Sequence, residues 1–111
     1  MLTIDSLREY GADVDDGMKR CLNNEGFYLD LVKSVIPDTR IAELEAAIAD
    51  GDLDKAFETA HALKGMYSNL ALTPLSAPVT EITELLRSRT QTDYSGLIDT
   101  IKKKKAELDS L

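Results

Sequence analysis

The chain has 111 residues, enough for one domain with a single hydrophobic core. Thirteen Lys and Arg against twenty Asp and Glu leave a formal net charge of −7, which does not suit nucleic acid or anionic lipid as a partner. The single cysteine excludes an internal disulfide and fits a reducing cytoplasm, and no apolar run approaches the ~20 residues of a membrane span.

Three prolines and six glycines, set among many Ala, Leu, Glu and Lys, predict an all-α fold. No basic or apolar leader is expected from Met1-Leu2-Thr3-Ile4-Asp5. Residues 2–10 read as a short helix, capped by Thr3 or Asp5 and stopped by Gly11. A second runs from Asp13 to Leu22, with Asp13 as cap and Val14, Met18, Cys21 and Leu22 as its apolar face. Residues 25–110 are expected to form a bundle, with residues 1–22 as two additional short helices at its N-terminal side.

The first bundle segment spans 25–50. Its two halves bury Tyr28, Leu31, Val32, Val35 and Ile36, then Ile41, Leu44, Ala47 and Ile48. These stripes are about 100° out of phase, and Pro37 sits at the junction. A kink or a break at Ile36–Asp38 follows, because proline removes an amide donor and clashes with the preceding turn. Gly51 then ends the segment and Asp52 caps the next.

The strongest helical pattern is 52–72. Leu53, Ala56, Phe57, Ala60, Leu63, Tyr67 and Leu70 recur at steps of three and four, the mark of one buried helix face. Thr73 as cap and Pro74 at the first position open a helix over 73–89, with Leu75, Val79, Ile82, Leu85 and Leu86 inward and some distortion at Pro78. A polar loop, Thr90-Gln91-Thr92-Asp93, leads to a last helix over 93–110 that buries Leu97, Ile98, Ile101 and Leu108. Its run Lys102-Lys103-Lys104-Lys105 points four ways around the axis, so Lys104 or Lys105 must lay its stem along the bundle. Short connections predict an antiparallel up-down four-helix bundle with additional short N-terminal helices.

His61 is the only histidine, and it lies in the 52–72 helix at the edge of the apolar stripe, about 100° from Ala60. Phe57 and Gly65 are one turn away, and Lys64 and Ser68 share that side. A mid-helix glycine costs about 1 kcal/mol relative to alanine. Leaving the backbone bare there lets another protein approach the ring. Imidazole is a nucleophile at neutral pH. A phosphoryl group on it brings roughly two negative charges, which Lys64 could offset.

The run Ala60-His61-Ala62-Leu63-Lys64-Gly65 resembles the histidine-containing phosphotransfer (HPt) domain family, whose pattern is Ala-His-x-Leu-Lys-Gly on a helix. Asn69 matches a further common residue, and the resemblance spans roughly residues 24–88. It implies that His61 takes a phosphoryl group from an aspartate on a receiver domain and passes it to another. Lys64 would be the phosphate-proximal cation and Gly65 the clearance for the docking receiver. The implied partner is the receiver of a response regulator or hybrid sensor kinase. Any magnesium ion would belong to that partner, so no cofactor and no metal are expected on this chain. The expected protein is a cytoplasmic, monomeric phosphocarrier rather than an enzyme. Asp54, Phe57, Glu58, Gly65, Ser68 and Leu72 are candidate docking residues. The chain departs from the family at Met66 and Tyr67, where small residues are usual, and at Ala71, where a glycine is common.

Two other readings use the same residues. One is a helical adaptor that binds a receiver or another signalling protein without phosphotransfer. The other is a metal site on Glu58-x-x-His61, half of a di-iron motif that lacks its second histidine.

Overall fold

Residues 2–111 are described in a computed structural model of the chain, and they form seven helices. These are α1 (Ile4–Tyr10), α2 (Val14–Arg20), α3 (Glu25–Val35), α4 (Arg40–Ala49), α5 (Leu53–Asn69), α6 (Thr73–Arg87) and α7 (Ser95–Asp109). Helices α4, α5, α6 and α7 pack as a ring in chain order, with α4 closing onto α7. The short connections make neighbours antiparallel, giving the expected four-helix bundle.

Local chemistry sets the element ends. Thr3 caps α1 through the Ser6 amide, Asp13 caps α2 through Asp16, Asn24 caps α3 through Phe27, and Asp52 caps α5 through Lys55. Gly11 and Gly51 end their helices with φ of 108° and 74°, a conformation open to glycine at little cost. The expected 25–50 segment is two helices, α3 and α4, with Pro37 in the gap between them. Lys105 bridges that gap. Its stem is buried, and its Nζ donates to the Ile36 carbonyl at 2.8 Å and to Asp109 at 2.7 Å. Of the two lysines that could face inward, Lys105 does so, and its charge meets the negative end of α3.

The core draws on all seven helices, from Leu7 through Tyr28, Leu44, Leu63 and Ile82 to Leu108. Helices α1 and α2 lie at the end where α5 turns into α6. The Asp13 amide donates to the Ala71 carbonyl at 2.9 Å, and Tyr10 Oη donates to the Lys104 carbonyl at 2.8 Å. Ala71 has a φ of 54°. A left-handed turn of this kind is one that glycine adopts at lower cost than alanine. Tyr28 reaches across from α3 and donates to the Leu70 carbonyl at 2.9 Å. Gly17 is buried against the Tyr28 ring, and a β-carbon there would come within 2.5 Å of it.

Two sequence expectations are corrected. Leu22 does not join the apolar face of α2, because the chain turns left-handed at Leu22 and Asn23 and leaves Leu22 88% exposed. Thr73 is not the cap of α6. The helix starts one residue earlier than that role allows, with Leu72 at the cap position and no side-chain capping bond. Pro78 lies inside α6, which runs unbroken from Thr73 to Arg87.

Leu22→Gly therefore removes an unfavourable φ without losing buried area. Its left-handed strain exceeds the entropy cost of glycine, so the substitution should stabilise the fold by about 0.5–1 kcal/mol, read from urea unfolding.

Burial pushes the phenols of Tyr10, Tyr28 and Tyr67 upward, Tyr28 to about 12. Acidic neighbours add to the effect in each case, with Arg40 opposing it at Tyr67. A folded-state value above the unfolded one favours the neutral phenol in the fold. The stability this gives is complete below the unfolded value near ~10 and is lost as pH rises through the folded values. The urea midpoint should hold steady up to about pH 10 and fall above it. Tyr28→Phe should make that fall shallower.

Candidate functional site

Helix α5 is built with two faces. Ala56, Ala60, Leu63 and Tyr67 point into the core and are fully buried. His61, at the middle of the 17-residue helix, is exposed on the opposite edge. Neither ring nitrogen of His61 has a hydrogen-bond partner among the described residues. Gly65 is exposed one turn on, and a β-carbon built there would meet nothing within 4 Å. The bare backbone thus opens directly beside the imidazole.

A series of four further side chains runs outward from the ring, beginning with Phe57. Phe57 stacks obliquely on it, with centroids 5.7 Å apart and planes tilted by 33°. Arg87 comes across from α6 and sets its guanidinium carbon 5.1 Å from the centre of the Phe57 ring. Glu84, also on α6, accepts from Arg87 Nε at 3.2 Å. The other carboxylate oxygen of Glu84 lies 3.6 Å from Lys64 Nζ. Further along, Arg89 pairs with Asp54. The sequence pattern places His61, Lys64 and Gly65 together, and the structure keeps them so. It does not reveal Glu84, Arg87 or Arg89. Their proximity depends on how α6 is rotated and shifted against α5, for which no local signal exists.

The candidate docking residues divide. Asp54, Glu58 and Gly65 are exposed, and Phe57 and Ser68 are half-buried. Leu72 is corrected: it is fully buried, because α5 ends at Asn69 and Leu72 turns inward to begin α6. The two departures after the glycine stay off the surface patch as well. Tyr67 is fully buried, and its hydroxyl has no hydrogen-bond partner among the described residues. Met66 is partly buried against the core.

The arrangement suits a macromolecular partner better than a small ligand. His61 is exposed on the surface of α5. A groove of about 420 Å3 between α4 and α7, lined by Ile36, Ile41 and Lys102 among others, does not include it. No cluster of three or more His, Cys, Asp or Glu among the described residues is placed to hold a metal ion. No helix among them is long and apolar enough to cross a membrane.

Residues 38–111 match the Hpt domain family. The match begins at the gap before α4 and runs through α7, the four helices of the ring. The resemblance read over residues 24–88 is therefore displaced toward the N-terminus, since α3 lies outside the ring and α7 inside it. No curated protein and no solved structure gives a significant match. The family match covers two thirds of the sequence, so this chain belongs to the Hpt domain family, the histidine phosphotransfer modules of two-component systems.

Proposed function

We propose that this chain is an intermediate in a multistep phosphorelay, with residues 1–111 acting as one Hpt unit and residues 1–22 as its end cap. His61 takes a phosphoryl group from a receiver aspartate and passes it to a second receiver. The observation that carries this reading is the exposed imidazole at mid-α5, one turn from the open backbone at Gly65 and stacked on Phe57.

The transfer needs little from this domain beyond position and charge. A ring nitrogen gives its lone pair to phosphorus while the bond from phosphorus to the aspartyl oxygen breaks. That bonding pair stays on the aspartate carboxylate, and the ring's N–H proton leaves to water. The return step to a second aspartate is the reverse. Phe57 restricts the imidazole from one side and leaves the other side open to in-line approach. Lys64 lies on the His61 side of α5 and offsets charge on the phosphoryl group. The chain works as a phosphocarrier and not as an enzyme, as a cytoplasmic monomer. The match to the family supports the phosphocarrier part of this reading.

Incubation with a receiver domain carrying aspartyl phosphate should place acid-labile phosphate on the wild-type chain and none on His61→Gln. Equal labelling of the two would remove the proposal. Receiver binding that persists without label would favour the adaptor reading instead.

Gly65 separates stability from docking. Gly65→Ala should stabilise the fold by about 0.5–1 kcal/mol, since the new methyl meets open space and alanine is the better helix former. Gly65→Gln should slow transfer from the receiver several-fold. Labelling of His61 by phosphoramidate, a small donor that needs no docking surface, should remain at the wild-type rate.

A further inference from the structure

Among the described residues, Glu84 is the one acidic group that pairs with both Lys64 and Arg87. Its two carboxylate oxygens are divided between Lys64 on α5 and Arg87 on α6. The two contacts differ in kind. Arg87 is held twice, by a 3.2 Å hydrogen bond to Glu84 and by the face of Phe57. Lys64 makes only a looser approach at 3.6 Å, through a flexible four-carbon stem. All three side chains are about a third to a half exposed, so neither pair is locked by burial.

We propose that Glu84 is a positioning residue that holds the Lys64 ammonium off His61 until a phosphoryl group arrives. The inference rests on His61 being the phosphoryl acceptor. In the unmodified protein Lys64 is shared with a carboxylate across the helix pair. A phosphoryl group on His61 carries about 1.5–2 negative charges, more than the single charge of Glu84. It competes successfully for the loosely held lysine. Arg87 stays on Glu84 and Phe57 and keeps the carboxylate neutralised after Lys64 departs. The site thus presents a muted charge to partners before phosphorylation and a directed cation after it.

Initial rates of His61 labelling by phosphoramidate test this without any docking partner. In that reaction the ring nitrogen bonds phosphorus, the reagent's P–N bond breaks, and ammonia leaves with the proton the ring gives up. Glu84→Gln, at a half-exposed position, should label roughly two- to five-fold faster than wild type at low salt, the range such a surface pair supports. Lys64→Gln should label more slowly. In the double variant Glu84→Gln/Lys64→Gln the gain should vanish, because it acts through the lysine. The difference between wild type and Glu84→Gln should also close as salt approaches ~1 M, where screening acts within about 3 Å. A gain that persists without Lys64 would mean simple repulsion of the reagent by Glu84 and would overturn the proposal. So would equal rates for wild type and Glu84→Gln. Wild-type protein that takes no label at His61 would instead remove the phosphotransfer reading, and this inference with it.

Discussion

The rotational phase of α5 is the constraint on which the rest depends. With about 100° per residue, the helix that buries Ala56, Ala60, Leu63 and Tyr67 must leave His61 and Gly65 outside. A slip of one residue would carry the imidazole toward the core and expose Ala60. The core residues prevent that slip. Ala56 and Ala60 are small enough for α4 and α6 to pack closely, while Leu63 and Tyr67 fill the volume further along. The placement of one surface ring is therefore an outcome of packing on the far side of its helix.

Around that ring the interactions are of another type. The core is apolar and close-packed, whereas the site is held by partly exposed ion pairs and two ring contacts. Pairs of this sort contribute at most about 1 kcal/mol each. They add little to stability and rearrange at small cost. This division suits the proposed role, in which the surface meets partners and changes its charge by about two units. A salt bridge buried as deeply as Leu63 would resist such exchange, because parting it would strand a charge in the interior.

Much of this was legible in the sequence for a physical reason: the signals were local. Period-3.6 stripes, the Thr3, Asp13 and Asp52 caps, the Gly11 and Gly51 stops and the Pro37 break all act within a few residues, and these reappear in the fold. Lys105 was legible to within one position, since a run of four lysines around a helix cannot all reach water. What failed was set by contacts between distant segments. Leu22 looks like part of a stripe until the chain turns at Leu22 and Asn23 to reach α3. Leu72 looks like an extension of α5 until the α5–α6 turn folds it inward. Glu84 and Arg87 are ordinary charged residues of α6 until that helix is laid against α5. In the site, the His61 side was readable and the facing side was not.

Tyr67 shows how the same reasoning separates partner choice from packing. As a bulky residue two positions past Gly65, it invites a role in docking. Its ring is fully buried, and its phenol is driven upward chiefly by desolvation. A side chain that water does not reach is not available to a rigid partner either. Its hydroxyl lies in the interior without a hydrogen-bond partner among the described residues, which is a cost to the fold. That cost is tolerable because the ring fills core volume that a smaller residue would leave as a cavity. The unusual size at this position is thus answered inside the bundle, where α5 meets its neighbours. Beside Gly65 the surface consists of half-buried Ser68 and the open backbone, so the approach to His61 stays uncrowded.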